Sequence, residues 1–173
     1  MIPTHDMNNV AIAEQDFGAT FVGSYMILCA RVEEWAATIL IAASSDKADG
    51  APVKIPRMLG PKLKAIADLV ARQPNPISKP QRVSQLMSRF AAPAKLRSNM
   101  AHSTLTPVKN GEETCYLFHT VDSGERFWMT KADIQNALVD LKKLVKEVTD
   151  HQMKKPTPPS SPPQPKQGAA AGP

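Results

Sequence analysis

The sequence has few of the features that mark secreted, zinc-binding or membrane-spanning proteins. Its two cysteines, Cys29 and Cys115, lie far apart and form no Cys-x-x-Cys pair. This spacing predicts neither a disulfide framework nor a zinc site, and it favours a reducing, cytoplasmic setting. The longest uncharged run, between Asp16 and Arg31, is shorter than the roughly 20 apolar residues that span a bilayer. The first nine residues contain no basic segment followed by an apolar run, so no signal peptide is predicted.

Aromatic residues are also scarce, at 5% of the chain, although hydrophobic residues together make up 42%. Aliphatic side chains must therefore fill most of the core. The length of 173 residues suits one domain. The end of the chain is rich in proline, serine, glycine and alanine, a composition that favours an extended, solvated segment. We predict a flexible segment over residues 1–14, one domain over 15–151 and a disordered Pro-rich tail over 152–173.

Acidic residues are almost missing from the middle of the chain. Between Lys54 and Arg97, ten residues are Lys or Arg and only Asp68 is acidic, so this segment carries +9 and the rest of the chain −4. Such asymmetry indicates a polyanionic partner or a surface that guides anions. The alternative is a solvated helical surface that happens to be basic.

Apolar residues recur at three- and four-residue steps in five segments, which predicts five helices. These helices cover about residues 15–43, 61–73, 81–91, 94–104 and 131–151. Pro93 is expected to open the fourth helix, and Thr130 with Asp133 is expected to cap the last one. Residues 114–121 and 126–129 are rich in β-formers and flank a turn signal, which predicts a hairpin. The predicted fold class is therefore all-α, a bundle of four to five helices with a small β-hairpin insertion before the last helix.

One short motif has the residue types that metal-independent RNA cleavage requires. It reads Arg97-Ser98-Asn99-Met100-Ala101-His102. Histidine changes its charge near neutral pH and can move a proton to or from a ribose hydroxyl. Arginine stays charged and matches the planar geometry of phosphate oxygens. The spacing alone is a weak signal, because a helix with a surface arginine and a packed or capping histidine has the same pattern.

Residues 96–103 resemble the hallmark of the HEPN superfamily, an arginine followed after four to six residues by a histidine. The order of elements is also similar, with a long first helix, the motif on a later helix, a hairpin segment and a long final helix. The resemblance covers about Phe17 to Thr149. It implies an all-helical bundle that forms a homodimer, in which two copies of the motif meet in a cleft. It also implies a metal-independent endoribonuclease without a cofactor, of the kind found among toxins and antiviral effectors.

By this resemblance, Arg97 and His102 are the catalytic pair, and Ser98 or Asn99 orients them. Active members commonly have Asn, Asp or His directly after the arginine, whereas this chain has Ser98 there and Asn99 one place later. That difference keeps a second interpretation open, a non-catalytic HEPN-like module that binds a nucleotide, a nucleic acid or a partner protein.

The expected partners are RNA, a second copy of the chain and an antitoxin or regulatory protein. A third interpretation is an interaction protein whose basic face serves another acidic partner. Five basic residues of the +9 segment are expected to guide RNA to the motif. They are Lys62, Lys64, Arg82, Arg89 and Lys95.

Overall fold

The computed structural model describes residues 12–45, 55–72, 77 and 79–153 of the chain. Within these residues, four helices and three strands follow in the order α1, α2, α3, β1, β2, β3, α4. Their bounds are Ile12–Ser45 for α1, Leu59–Val70 for α2, Pro80–Ala101 for α3, Ser103–Asn110 for β1, Glu113–Thr120 for β2, Arg126–Thr130 for β3 and Lys131–Met153 for α4.

Helix α1 is the centre of the core and contacts the other three helices. Its apolar residues recur every three or four positions and bury one side of the helix. The buried set is Phe21, Tyr25, Cys29, Val32, Trp35, Ala36, Leu40 and Ala43. Burying a large apolar side chain contributes roughly 1.5–3 kcal/mol. This stripe therefore supplies much of the free energy that assembles α2, α3 and α4 around α1.

The three strands form an antiparallel sheet in the order β1-β2-β3, and this sheet contacts α1 and α4. The ring of Phe17 on α1 lies 5.5 Å from the ring of Tyr116 on β2. A Cβ atom added at Gly18 would lie 2.8 Å from the side chain of Leu105 on β1. The absence of a side chain at this position therefore allows α1 to approach the sheet closely.

The prediction of an all-α bundle is wrong, because the fold is mixed and contains a three-stranded sheet. The predicted hairpin is confirmed as β2 and β3, but the sequence pattern missed β1. Residues 103–110 do not alternate cleanly and include Pro107, which disfavours a central strand. Proline is tolerated here because β1 is an edge strand. Pairing with β2 along the full length, from Ser103 opposite Thr120 to Asn110 opposite Glu113, stabilises it.

The prediction of two helices separated at Pro93 is also wrong, because α3 is continuous and Pro93 lies inside it. A proline in a helix interior costs about 3 kcal/mol. Burial of Phe90, Ala94 and Met100 on the same helix offsets this cost. Helix α3 also ends earlier than predicted, at Ala101. His102 is its C-cap residue, with φ −111° and ψ 12°.

The remaining helix bounds differ from the predicted ones by one to three residues, and the start of α4 is confirmed. The hydroxyl of Thr130 accepts a hydrogen bond from the Asp133 N–H at 3.1 Å, and the Asp133 carboxylate accepts one from the Thr130 N–H at 2.9 Å. The predicted flexible segment and Pro-rich tail lie outside the described residues, except for 12–14 and 152–153. Within the described part of the chain, no helix is long and apolar enough to cross a membrane.

Candidate functional site

A groove of about 640 Å³ lies between the start of α2 and the last turns of α3. One wall is formed by residues 57–61 and Leu63, and the other by residues of α3 together with His102. Four of the six motif residues line it, namely Arg97, Ser98, Asn99 and His102. Of the other two, Met100 is buried in the core and Ala101 is exposed. The local geometry at the end of α3 therefore brings every predicted catalytic residue to one groove.

His102 leaves the helix at its last turn, and the β2–β3 turn fixes its position. Its backbone carbonyl accepts a hydrogen bond from the Val121 N–H at 2.9 Å. Its Nδ1 atom lies 3.5 Å from a carboxylate oxygen of Asp122, and the His102 side chain is 60% exposed. An acidic neighbour at Nδ1 favours a proton on that nitrogen. The other ring nitrogen, Nε2, can then take a proton from a ligand.

Arg97 lies about one and a half turns before His102 and contacts an acid of α1. Its Nε atom is 3.7 Å from one carboxylate oxygen of Glu33. The second oxygen of Glu33 is 3.8 Å from the ammonium group of Lys62 on α2. The side chains of Glu33 and Lys62 are largely buried, whereas Arg97 is about one-third exposed. Arg97 therefore remains available to a ligand in the groove, but Lys62 is occupied within the protein.

A buried thiol lies one helical turn before Glu33. Burial raises the pKa of Cys29 to about 12; the negative charge of Glu33 adds to this shift and the positive charge of Arg97 opposes it. The Cys29 side chain is therefore a protonated core thiol at neutral pH. It offers no thiolate nucleophile beside the groove.

Ser98 and Asn99 occupy different environments. Ser98 is exposed on the groove wall, whereas Asn99 is half-buried. The backbone carbonyl of Asn99 accepts hydrogen bonds from the Ser103 hydroxyl at 2.6 Å and from the His102 N–H at 3.3 Å. The Asn99 carbonyl thus secures the helix end that carries His102, while Ser98 is an exposed lining residue of the groove.

The structure separates the five residues that were expected to guide RNA. Of the five, Lys62 and Lys95 lie near the motif, and only Lys95 is an exposed lining residue of the groove. Lys64 pairs with Asp68 at 3.3 Å on the exposed side of α2.

Arg82 and Arg89 face α4, where they pair with Glu147 at 2.5 and 2.8 Å. Ser98 follows Arg89 by nine residues, which corresponds to about 180° around a helix. These two arginines therefore lie on the side of α3 away from the groove.

Sequence reasoning missed three residues that the fold brings to the motif, Glu33, Arg57 and Asp122. Glu33 gives only a weak signal, an acid within the apolar first helix. Asp122 belongs to the predicted turn between residues 121 and 126, and Arg57 belongs to the +9 segment; neither pattern connects these residues to the motif. Each lies on a different element from the motif, so their approach depends on tertiary packing that spacing along the chain does not encode.

No protein-family model, curated protein or solved structure matches this chain. Among the described residues, no three His, Cys, Asp or Glu side chains come together in a group that could hold a metal ion. The polar side chains that line the groove are a histidine, a hydroxyl, an amide, a carboxylate and three cations, including Arg97.

Proposed function

We propose that this protein is a metal-independent endoribonuclease of the HEPN type that binds and cleaves RNA in the groove at the end of α3. One observation carries the proposal: Arg97, Ser98, Asn99 and His102 all line the same groove. Lys95 and Arg57 line it as well, and their positive charge favours a phosphodiester. The resemblance of residues 96–103 to the HEPN hallmark supports the same reaction.

In the proposed reaction, the 2′-hydroxyl of a ribose attacks the adjacent phosphorus. His102 accepts the hydroxyl proton at Nε2 as the new P–O2′ bond forms. Arg97 stabilises the additional negative charge on the phosphate oxygens. The P–O5′ bond breaks, and a proton returns to the leaving oxygen from the histidine of a second copy or from water. The products are a 2′,3′-cyclic phosphate and a 5′-hydroxyl, with no oxidant or reductant required.

The proposal includes a homodimer in which two copies of the groove face one another and each supplies a histidine. It also includes a cytoplasmic toxin or antiviral role, and an antitoxin or regulatory protein that restrains cleavage. Lys95 remains in the proposal as an RNA-guiding residue. Arg82 and Arg89 are not part of the proposal as RNA-guiding residues, because both pair with Glu147 of α4.

The test is incubation of the full chain with labelled single-stranded RNA in excess chelator. We expect cleavage that yields 2′,3′-cyclic phosphate ends, and no cleavage of the same oligonucleotide made as DNA. His102→Ala should abolish cleavage. His119→Ala is the matched control, because His119 lies on β2 and does not line the groove. Absence of cleavage by the unmodified protein, or equal cleavage by His102→Ala, would refute the proposal.

A second candidate is a non-catalytic module that binds RNA or a nucleotide in the same groove. The observation that favours it is Ser98, which stands directly after Arg97 where active HEPN members commonly have Asn, Asp or His. In that case Arg97→Ala would weaken RNA binding, yet no cleaved product would form over long incubation. Measuring binding and product ends on the same samples distinguishes the two candidates.

A further inference from the structure

Glu33 is the one acidic side chain among the described residues that line the groove. It comes from α1 and meets a cation of α2, Lys62, and a cation of α3, Arg97. Its side chain is only 16% exposed. A carboxylate buried between helices requires nearby positive charge, because desolvation of an unpaired charge is costly. The two cations meet this requirement, so Glu33 ties together the three helices that form the groove.

The oxygen of Glu33 that faces Arg97 is inaccessible to solvent, and no donor hydrogen-bonds to it within the described part of the chain. A ligand in the groove therefore cannot reach this oxygen directly. An unsatisfied buried acceptor is destabilising, because the hydrogen bonds that the oxygen made to water are not replaced. The Nε–H of Arg97, 3.7 Å away, would satisfy it after a shift of less than about 1 Å into hydrogen-bond range.

The contact is made at Nε, on one side of the guanidinium group of Arg97. The two terminal nitrogens, Nη1 and Nη2, can therefore still bind a phosphate through two parallel hydrogen bonds. Lys62 approaches the other Glu33 oxygen at 3.8 Å and is itself only 14% exposed. Lys62 and Arg97 thus contact different oxygens of the same carboxylate.

We propose that Glu33 is a positioning residue, which holds Arg97 through Nε so that its terminal nitrogens face the scissile phosphate. This inference rests on the proposed ribonuclease function. It assigns Lys62 to the support of Glu33, whereas the sequence had suggested that Lys62 binds RNA. An arginine held before the ligand arrives loses less conformational freedom on binding and lies closer to the reactive geometry.

The first test compares Glu33→Gln with Glu34→Gln, which removes the same charge from the exposed neighbouring position. We expect Glu33→Gln to lower kcat about tenfold while KM changes less than about threefold, since a displacement near 1 Å can cost up to about 100-fold. Glu34→Gln should retain the kcat of the unmodified protein. A kcat for Glu33→Gln within twofold of that value would overturn the inference.

A general loss of structure could also lower kcat, so the same substitution is repeated in an Arg97→Lys background. Lysine has no Nε–H at the position that Glu33 contacts. If Glu33 acts through Arg97, the tenfold effect of Glu33→Gln should shrink to less than twofold in that background. An undiminished tenfold effect would show that Glu33 acts independently of Arg97 and would overturn the inference.

A third readout does not require cleavage. The Nε–H proton of Arg97 should exchange slowly with water in the unmodified protein, as followed by nitrogen-15 NMR. Its exchange should become at least fivefold faster in Glu33→Gln and remain unchanged in Glu34→Gln. If no variant and no unmodified protein cleaves RNA, the ribonuclease proposal fails, and this measurement still decides whether Glu33 holds Arg97. Unchanged exchange in Glu33→Gln would overturn the positioning role.

Discussion

Helix α3 carries arginines on two sides, and each side meets a single glutamate in a different way. On the α4 side, Glu147 binds Arg82 at 2.5 Å and Arg89 at 2.8 and 2.9 Å. On the groove side, Glu33 lies 3.7 Å from Arg97 and 3.8 Å from Lys62. The first glutamate makes short hydrogen bonds near the surface, whereas the second is buried and makes two long contacts.

This difference in contact length distinguishes arginines that join two helices from an arginine that can bind a ligand. Three hydrogen bonds join Arg82 and Arg89 to Glu147, so these residues fix α3 against α4. Among the described residues, Arg97 makes one long ion-pair contact, through Nε, and its side chain is about one-third exposed in the groove. Positive charge along a helix therefore does not predict an RNA-binding surface until the partners of each cation are known.

The largest expected effect is on the rate of RNA cleavage, compared between two single variants that each remove an arginine from one side of α3. Arg97→Ala should lower the rate of RNA cleavage about 100- to 1,000-fold, which is typical for loss of one donor to a transition-state oxyanion. Arg89→Ala should leave the rate within about twofold, when both are measured well below their unfolding temperatures. Similar losses for both variants would contradict the distinction between the two sides.

A smaller effect should distinguish the two sides in RNA binding. With a 2′-O-methyl RNA, which lacks the attacking hydroxyl, Lys95→Ala should reduce the slope of log affinity against log salt by about one unit. Lys95 is exposed on the groove wall. Arg82→Ala should leave that slope unchanged. Binding titrations at four or five salt concentrations measure both slopes, and a reduced slope for Arg82→Ala would place RNA on the α4 side.

The smallest expected effect concerns the free energy of unfolding. The hydrogen bond from Arg89 lowers the pKa of Glu147 against the opposing effect of burial, with a further lowering from Arg82. Glu147 therefore stabilises the fold fully above its unfolded-state pKa of about 4.3, and this contribution is lost as the pH falls through the lowered folded-state value.

Glu147→Gln should consequently reduce stability at pH 7 by about 1 kcal/mol or less, as expected for a pair near the surface. The difference from the unmodified protein should shrink in acid. Urea unfolding at pH 7 and near pH 3 measures it, with Glu112→Gln in the exposed β1–β2 turn as the control. A difference that persists unchanged at low pH would show that charge on Glu147 does not stabilise the fold.

Local patterns predicted α1, α2, α4 and one hairpin well, because each depends on residues close in the chain. The apolar stripe of α1 and the reciprocal hydrogen bonds of Thr130 and Asp133 are of this kind. Strand β1 was missed because its stability comes from pairing with β2 and from its position at the sheet edge. The continuity of α3 through Pro93 was missed for a similar reason, since core packing outweighs a local penalty.

The candidate site shows the same division between local and tertiary information. The motif itself was visible in the sequence, and the end of α3 brings its polar members to one groove. The acids that contact Arg97 and His102 in the fold could not be identified from the sequence. Glu33 lies 64 positions before Arg97 in the sequence, and nothing in the local pattern connects them. The roles first given to Lys62, Arg82 and Arg89 changed for the same reason, because each depends on an acid from another helix.

The direct passage from α3 into β1 restricts insertions and deletions around the motif. His102 is the single residue between Ala101, which ends the helix, and Ser103, which begins the strand. One inserted residue after His102 would turn Leu105 away from α1 or shift the pairing of β1 with β2, because side chains alternate between the faces of a strand. One inserted residue between Arg97 and His102 would rotate the histidine by about 100° around the helix axis. The length of this segment is therefore constrained from both ends, by the sheet as well as by the groove.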